Sequence, residues 1–134
     1  MPAPQRRQPT TAELEILEVL WSRGPATVRQ VRDQLDGRAG KSPGYTTVLK
    51  LLQIMTDKGL VLRDASQRTH IYRPAESPEA TRGTLVGDLI ERAFAGSTSE
   101  LVLSALSSRP TSAEELETIR RFLDDQDGRL RGGR

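Results

Sequence analysis

The sequence predicts a mainly α-helical protein that is interrupted once by a small β-hairpin. Apolar residues recur at helical spacing in three segments before residue 59, two β-prone runs then flank a polar turn, and three more segments of helical spacing follow. Of the 134 residues only 35% are hydrophobic and 4% aromatic. The core is therefore expected to be small and aliphatic, and a second copy of the chain would complete it.

The first two helices are marked by reciprocal caps. Thr10 with Glu13 predicts the start of the first helix, and Thr27 with Gln30 predicts the start of the second. Trp21, at the end of the first helix, is expected to lie in the core. The glutamates of the first helix are expected to face solvent: Glu13, Glu15 and Glu18.

The third predicted helix, residues 45–59, has one apolar stripe and one polar face. Val48, Leu51, Leu52 and Met55 form the stripe. The polar face carries hydroxyls, an amide and a cation, which are groups that hydrogen-bond base edges and phosphates. Its members are Thr46, Thr47, Lys50 and Gln53. Tyr45, at the helix start, is expected either to contact a phosphate or to pack against the second helix, and a plain solvated face is the alternative for the whole surface.

The two β-prone runs, residues 60–64 and 70–73, surround the polar turn of residues 65–69 and predict a hairpin. Three helices followed by a hairpin is the order of a winged helix-turn-helix, whose third helix enters the major groove while the hairpin touches the flanking backbone. Arg68 and His70 are candidate backbone contacts, although a solvated hairpin is the alternative. His70 is the single histidine, so no metal, cofactor or catalytic site is predicted.

Three helical segments follow Ser77–Pro78, where serine is a cap and proline suits the first helical position. Pro110 precedes the last segment, which Thr111 and Glu114 are expected to cap. The segments carry more apolar surface than a thin layer hides, which favours dimerisation, and folding back onto the first domain is the alternative. The expected dimer contacts are Leu85, Val86, Leu89, Ile90, Phe94, Leu101, Leu103, Leu106, Leu116, Ile119 and Leu123.

Charge and composition narrow the function classes. Residues 1–75 carry 12 Lys and Arg against 7 Asp and Glu, a net +5, whereas residues 76–134 carry 8 against 11, a net −3. A polyanion would therefore meet the first half, unless the asymmetry is ordinary surface scatter. There is no cysteine, which excludes disulfide scaffolds and thiol catalysis and fits the cytoplasm. No signal peptide, membrane span or catalytic constellation is recognised, so an enzyme is not expected.

Six elements together form a specific pattern. They are Ala12–Trp21, Thr27–Val31, Tyr45–Val48, Lys58–Leu60, the hairpin that ends in Tyr72, and Glu100–Leu103. In these elements, and so over about residues 10 to 125, the sequence resembles the BlaI/MecI family of bacterial repressors. The resemblance implies a homodimer that binds palindromic operators, often upstream of β-lactamase or stress genes. It implies recognition contacts at Thr46, Thr47 and Lys50.

The resemblance also implies a wing at residues 67–70 and relief of repression by cleavage. The family's wing commonly has glycine before the arginine, whereas this chain has Gln67. Many members are inactivated when a membrane sensor metallopeptidase triggers cleavage of an Asn-Phe bond, which aligns with Ser104 and Ala105 of this chain. Neither side chain matches. The cysteine pairs of copper-responsive relatives are absent as well.

The sequence therefore predicts a cytoplasmic, dimeric winged-helix repressor of double-stranded operator DNA. Residues 10–75 are expected to form the DNA-binding domain and residues 76–127 a helical dimerisation domain, while residues 1–9 and 128–134 are expected to be disordered. A membrane sensor protease system is an expected partner, without insertion of this chain into a membrane. The alternative is a protein-interaction module that uses the acidic half and binds without preference for DNA.

Overall fold

Six helices and one hairpin form the described part of the chain, residues 8–37 and 43–132 of a computed structural model. This confirms the mainly α fold class, a winged helix-turn-helix followed by further helices. Expectations for residues 1–7, 38–42 and 133–134 lie outside the described residues. The elements are α1 (Thr11–Arg23), α2 (Val28–Asp36), α3 (Tyr45–Lys58), β1 (Val61–Asp64), β2 (Ile71–Pro74), α4 (Pro78–Ala93), α5 (Thr98–Ser108) and α6 (Ala113–Gly132).

Both predicted reciprocal caps are confirmed. The backbone N–H of Glu13 donates to the Thr10 hydroxyl at 3.2 Å, and the backbone N–H of Thr10 donates to the Glu13 carboxylate at 2.9 Å. Thr27 and Gln30 repeat the pair at the start of α2, at 3.2 and 2.9 Å. Each cap satisfies backbone N–H groups that a helix start leaves without acceptors, so both helices begin where the local sequence dictates.

One aliphatic core joins α1, α2, α3 and the hairpin. Its side chains come from the inward stripes of the three helices, as helical spacing predicts. Leu51 of the predicted stripe is only half-buried against this core. The buried members are Ile16, Leu17, Val19, Leu20, Ala26, Val28, Val31, Leu35, Val48, Leu52, Met55, Val61 and Tyr72.

The hairpin is fastened to the helices by its second strand. β1 and β2 pair antiparallel, with Val61 opposite Pro74 and Arg63 opposite Tyr72. Ala26, between α1 and α2, exchanges two backbone hydrogen bonds with Tyr72, at 2.9 and 2.8 Å. The Tyr72 side chain is itself buried. A bridge and a buried ring on one residue thus fix the hairpin beside the start of α2.

Gly59 directs the chain from α3 into β1. Its φ of 82° and ψ of 16° are left-handed, a conformation that glycine adopts without steric cost. The backbone N–H of Leu60 donates to the Met55 carbonyl at 2.9 Å. The predicted helix end at Lys58 and Gly59 is confirmed.

Trp21 attaches the start of α4 to α1. Its indole N–H donates to the Glu76 carbonyl at 3.0 Å. The Arg82 guanidinium lies 5.7 Å from the ring centroid and also pairs with Glu18 at 3.4 Å. The ring is half-buried against the core rather than enclosed in it, because one edge of it serves this junction. Thr81, one turn into α4, is buried.

Glu13 corrects one expectation. The sequence pattern placed its side chain in solvent, but the residue is only 2% exposed. Its carboxylate accepts a hydrogen bond from the Lys58 ammonium at 2.8 Å. The pattern was misleading because the cation that stabilises the buried carboxylate lies 45 residues away in the sequence, beyond the reach of any local rule.

The chain divides into two compact units, residues 1–86 and 87–134, and the division falls inside α4. The predicted boundary lay at residues 75 and 76. The difference arises because the first turns of α4 are held by Trp21 and Arg82 within the first unit.

The second unit has no buried residue in its described part, residues 87–132. The start of α6 is capped by Ser112 and Glu115. The Glu115 N–H donates to the Ser112 hydroxyl at 3.0 Å and the Ser112 N–H donates to the Glu115 carboxylate at 3.4 Å. The predicted pair, Thr111 and Glu114, was therefore one position too early. α6 then continues to Gly132, so the helix includes residues 128–132, which were expected to be disordered. An Arg131–Asp127 ion pair of 3.3 Å spans this last turn, and such pairs favour helix.

The core assignment predicts a large difference between two leucine truncations. Leu52→Ala should lower the free energy of unfolding by about 2–5 kcal/mol, since Leu52 is 0% exposed and a cavity would remain. Leu62→Ala, at a site 45% exposed, is the matched control and should cost less than about 1 kcal/mol. Urea titrations of both variants measure the difference, and equal losses would contradict the assigned core.

Candidate nucleic-acid interface

The exposed face of α3 carries the predicted reading residues. Val48, Leu52 and Met55 are buried in the core, and Leu49 and Leu51 pack partly against it. The remaining side of the helix faces solvent. Each predicted reading side chain is exposed: Thr46, Thr47, Lys50 and Gln53. The structure therefore brings these hydroxyl, amide and ammonium groups together on one solvent-facing surface.

The charge of this face changes along the helix. Lys50 is its cation, while Asp57, seven residues further on and thus on the same side, is exposed and acidic. A carboxylate repels phosphates and the electronegative major groove. The part of α3 suited to a polyanion is therefore its N-terminal half, which is the half that reads bases in helix-turn-helix proteins.

A cleft of about 340 Å³ lies beside this half of α3. Tyr45, 47% exposed, stands on one side, and Arg68 and His70 of the hairpin turn stand on the other. The structure thus brings together the three predicted contacts that lie outside the reading face. Leu49, Thr69 and Tyr72 line the cleft as well.

The start of α2 adds a donor set that sequence analysis missed. Thr27, Val28 and Arg29 line the same cleft. The cap already occupies the Gln30 N–H. The N–H groups of Val28 and Arg29 have no intrahelical acceptor, and together with the helix dipole they favour an anion. Arg29 is exposed and adds a full positive charge. Its position directly after a recognisable cap was the available signal, but the nearness of the hairpin could not be read from the sequence.

The hairpin turn is held by a local hydrogen bond. The backbone N–H of Ser66 donates to the Asp64 carboxylate at 2.9 Å. This bond, then the Ser66 hydroxyl, and more weakly the charge of Arg73, hold the pKa of Asp64 below its ordinary value of 3.8. The carboxylate is fully ionised near neutral pH and keeps the turn bent. Gln67, at the position where the BlaI/MecI family commonly has glycine, and Arg68 beside it are both exposed.

Among residues 8–37 and 43–132, no three His, Asp or Glu side chains are grouped so that they would hold a metal ion. In the same part of the chain no helix is long and apolar enough to cross a membrane.

The sequence profile of the penicillinase repressor family matches residues 9–125. The chain belongs to this family. A penicillinase repressor of this kind is a DNA-binding transcriptional repressor, so the exposed face of α3 and the adjacent cleft belong to a regulator of the expected class.

Individual relatives are similar over most of their lengths. The transcriptional regulator BlaI of Mycobacterium tuberculosis is 33% identical over 112 residues, which are 83% of this chain and 79% of that protein. The penicillinase repressor of Bacillus licheniformis is 23% identical over 122 residues, 91% of this chain and 94% of its own. These relatives are regulators rather than enzymes.

Two solved structures align with most of this chain. The transcriptional regulator Tm0710 from Thermotoga maritima aligns with 93% of this chain and 78% of its own, at 19% identity and a TM-score of 0.45. A variant of ZitR from Lactococcus lactis aligns with 97% and 81%, at 15% identity and a TM-score of 0.46.

Because of the hydrogen bond from Ser66, we expect the Asp64 carboxyl to titrate at a lower pH than an ordinary aspartate. A folded-state pKa below 3.8 means that this carboxylate contributes stability above its unfolded pKa and loses it as the pH falls through the folded pKa. The ¹³C carboxyl resonance should therefore titrate below the ordinary value. In Arg73→Met most of the lowering should persist, because the Ser66 N–H is its main cause. A return to the ordinary value in that variant would contradict this ranking.

Proposed function

We propose that this penicillinase-family repressor binds a palindromic operator as a homodimer and reads its bases with the exposed polar face of α3. The observation that carries the proposal is the exposed polar face of α3 beside a basic cleft. Thr46, Thr47, Lys50 and Gln53 would meet base edges in the major groove, where hydroxyls, amides and ammonium groups discriminate base pairs.

The cleft would receive the DNA backbone next to those bases. Its donors come from three elements: the first N–H groups and Arg29 of α2, Tyr45 of α3, and Arg68 and His70 of the wing. A phosphate bound there would fix the register of α3 without carrying sequence information itself, which is the usual division of labour in DNA recognition.

Dimerisation through the second unit is supported by its exposed apolar side chains. Leu89 is 48% exposed, Leu103 59% and Leu123 56%. None of the other predicted contacts is fully buried, and Leu106 and Ile119, for example, are half-buried. Helices with an apolar face are stable when that face is covered, and a second copy of the same helices would supply a self-complementary cover.

Two copies would place two α3 helices about 34–36 Å apart, or a multiple of this spacing, along one side of the DNA. The operator would then be an imperfect palindrome whose half-sites repeat at one helical turn or a multiple of it. By analogy with the names of its relatives, the regulated genes would include a penicillinase or another β-lactamase, or stress genes.

The proposal includes relief of repression by cleavage at or near Ser104 and Ala105, triggered by a membrane sensor protease, although neither side chain matches the Asn-Phe bond that is cleaved in the best-known family members. Both side chains are exposed in the middle of α5. A protease needs an extended substrate, so α5 would have to unwind first. The unwinding would break few contacts, since α5 contains no buried residue, and weakly packed segments open at low cost.

DNA binding across a salt series tests the reading function. The purified protein should bind its own upstream intergenic DNA more tightly than scrambled DNA of equal length, and log K should fall steeply with log salt because Lys and Arg displace counterions from phosphates. Lys50→Ala should weaken binding to the true operator by about 1–3 kcal/mol.

The control for Lys50→Ala is Arg92→Ala, which removes an exposed cation on α4 that pairs with Asp88. It should leave the preference for the operator unchanged. Equal and weakly salt-dependent binding to both DNAs by the wild type would instead favour the protein-docking alternative. If Lys50→Ala bound the operator as tightly as the wild type, the assignment of Lys50 would be wrong, but the rest of the proposal would stand.

A single charge in the apolar face should separate the copies. Leu123→Glu would bury an unpaired carboxylate at the proposed interface, which is strongly unfavourable. Sedimentation analysis should show a dimer for the wild type and a shift towards monomer for this variant. Leu62→Glu makes the same change in the first unit, at a leucine that is 45% exposed against 56% for Leu123, and this variant should stay dimeric. A Leu123→Glu dimer as tight as the wild type would place the interface elsewhere.

A further inference from the structure

The ion pair between Glu13 and Lys58 joins the start of α1 to the end of α3, the helix that is proposed to read DNA. Glu13 lies in the first turn of α1, and Lys58 is the last residue of α3. Their side chains are 3% and 13% exposed, and the ammonium nitrogen lies 2.8 Å from the carboxylate oxygen. The same oxygen accepts the Thr10 N–H, and Lys58 also lies 3.5 Å from the Gln8 carbonyl.

Stability alone does not account for such a pair. Removing two charges from water is costly, and replacing a buried ion pair by apolar side chains of similar volume is often neutral or stabilising. A buried ion pair does fix orientation, because its hydrogen bonds form only within a narrow range of distances and angles between the two side chains. In some proteins buried polar pairs select one arrangement of helices among several.

The rest of the α3 contact is not directional in this way. Val48, Leu52 and Met55 are each 0% exposed and pack against aliphatic side chains. Apolar burial is non-directional, so these residues specify the rotation and height of the helix less sharply than the ion pair does. A rigid helix transmits such a movement along its length, from Lys58 to Lys50 over about 12 Å.

We propose that Glu13 and Lys58 are positioning residues, which set the rotation and height of α3 so that its exposed face meets the correct base edges. This inference rests on the proposed function and adds a determinant of specificity that contacts no DNA. Lys58 is mostly enclosed and already engaged by Glu13 and Gln8, so its ammonium acts through the helix and not through a phosphate.

The experiment distinguishes a misplaced α3 from a loss of folding stability and from the loss of a positive charge near the DNA. The double variant Glu13→Gln/Lys58→Met removes both charges, while the amide oxygen of Gln can still accept the Thr10 N–H. Urea titration should show a folded protein. The ratio of operator affinity to scrambled-DNA affinity should fall about tenfold, as for the loss of one base contact, whereas the salt slope should not change.

The matched control is Glu18→Gln/Arg82→Met. It removes an ion pair of 3.4 Å that joins α1 to α4 in the same unit and involves no residue of α3. The affinity ratio of this control should equal that of the wild type. A comparable fall in the control would mean that any loss of an ion pair near α1 disturbs reading, and it would overturn the specific role of Glu13 and Lys58.

Other results overturn the inference in distinguishable ways. An unchanged ratio in the Glu13→Gln/Lys58→Met variant refutes positioning. Equal weakening on both DNAs with a lower salt slope identifies Lys58 as a phosphate contact, since such a contact is blind to sequence. A wild type that does not prefer its operator refutes the proposed function, and the positioning role with it.

Glu13→Asp keeps the question decidable if the double variant does not fold. It retains both charges but shortens one side chain by a methylene, so the pair can re-form only if α1 and α3 shift. The affinity ratio should then fall with an unchanged salt slope. A folded Glu13→Asp protein with the wild-type ratio would overturn the inference.

Discussion

The two backbone hydrogen bonds between Ala26 and Tyr72 set the geometry on which the candidate interface depends. They join the segment before α2 to the second strand of the hairpin, and the buried Tyr72 ring closes the core beneath them. Because this bridge fixes the hairpin beside the first residues of α2, Arg68 and Arg29 line one cleft although they are far apart in the chain. An isolated two-stranded hairpin is only marginally stable in water, so the bonds to Ala26 help to hold this hairpin in place.

The two units use their apolar residues in opposite ways. The first unit encloses a continuous set of aliphatic side chains and leaves polar groups on α3 for a partner with charges. The second unit, in its described part, encloses no residue and presents leucines such as Leu103 and Leu123 instead. One half is thus a finished small domain with a polar binding face. The other has exposed apolar side chains of the kind that the proposed dimer would cover, in a chain that is only 35% hydrophobic.

Local rules predicted most local features of this chain, although they placed the cap of α6 one residue too early and did not predict its last turn. The caps at Thr10 and Thr27, the end of α3 at Gly59 and the polar face of α3 all depend on residues within one or two turns, and each appears where expected. The sequence could not reveal that Glu13 is buried, because its partner Lys58 is brought to it only by the packing of α1 on α3. The place of Arg29 in the cleft was hidden for the same reason: it depends on where the hairpin docks.

Trp21 gives the protein an optical property that follows from its place in the fold. It is the single tryptophan of the chain, its indole N–H is bonded to the Glu76 carbonyl, and the Arg82 cation lies over its ring. Indole emission depends on such hydrogen bonds and nearby charges. The intrinsic fluorescence of this protein therefore reports, without any label, whether the first turns of α4 remain attached to α1 when the molecule binds its partners.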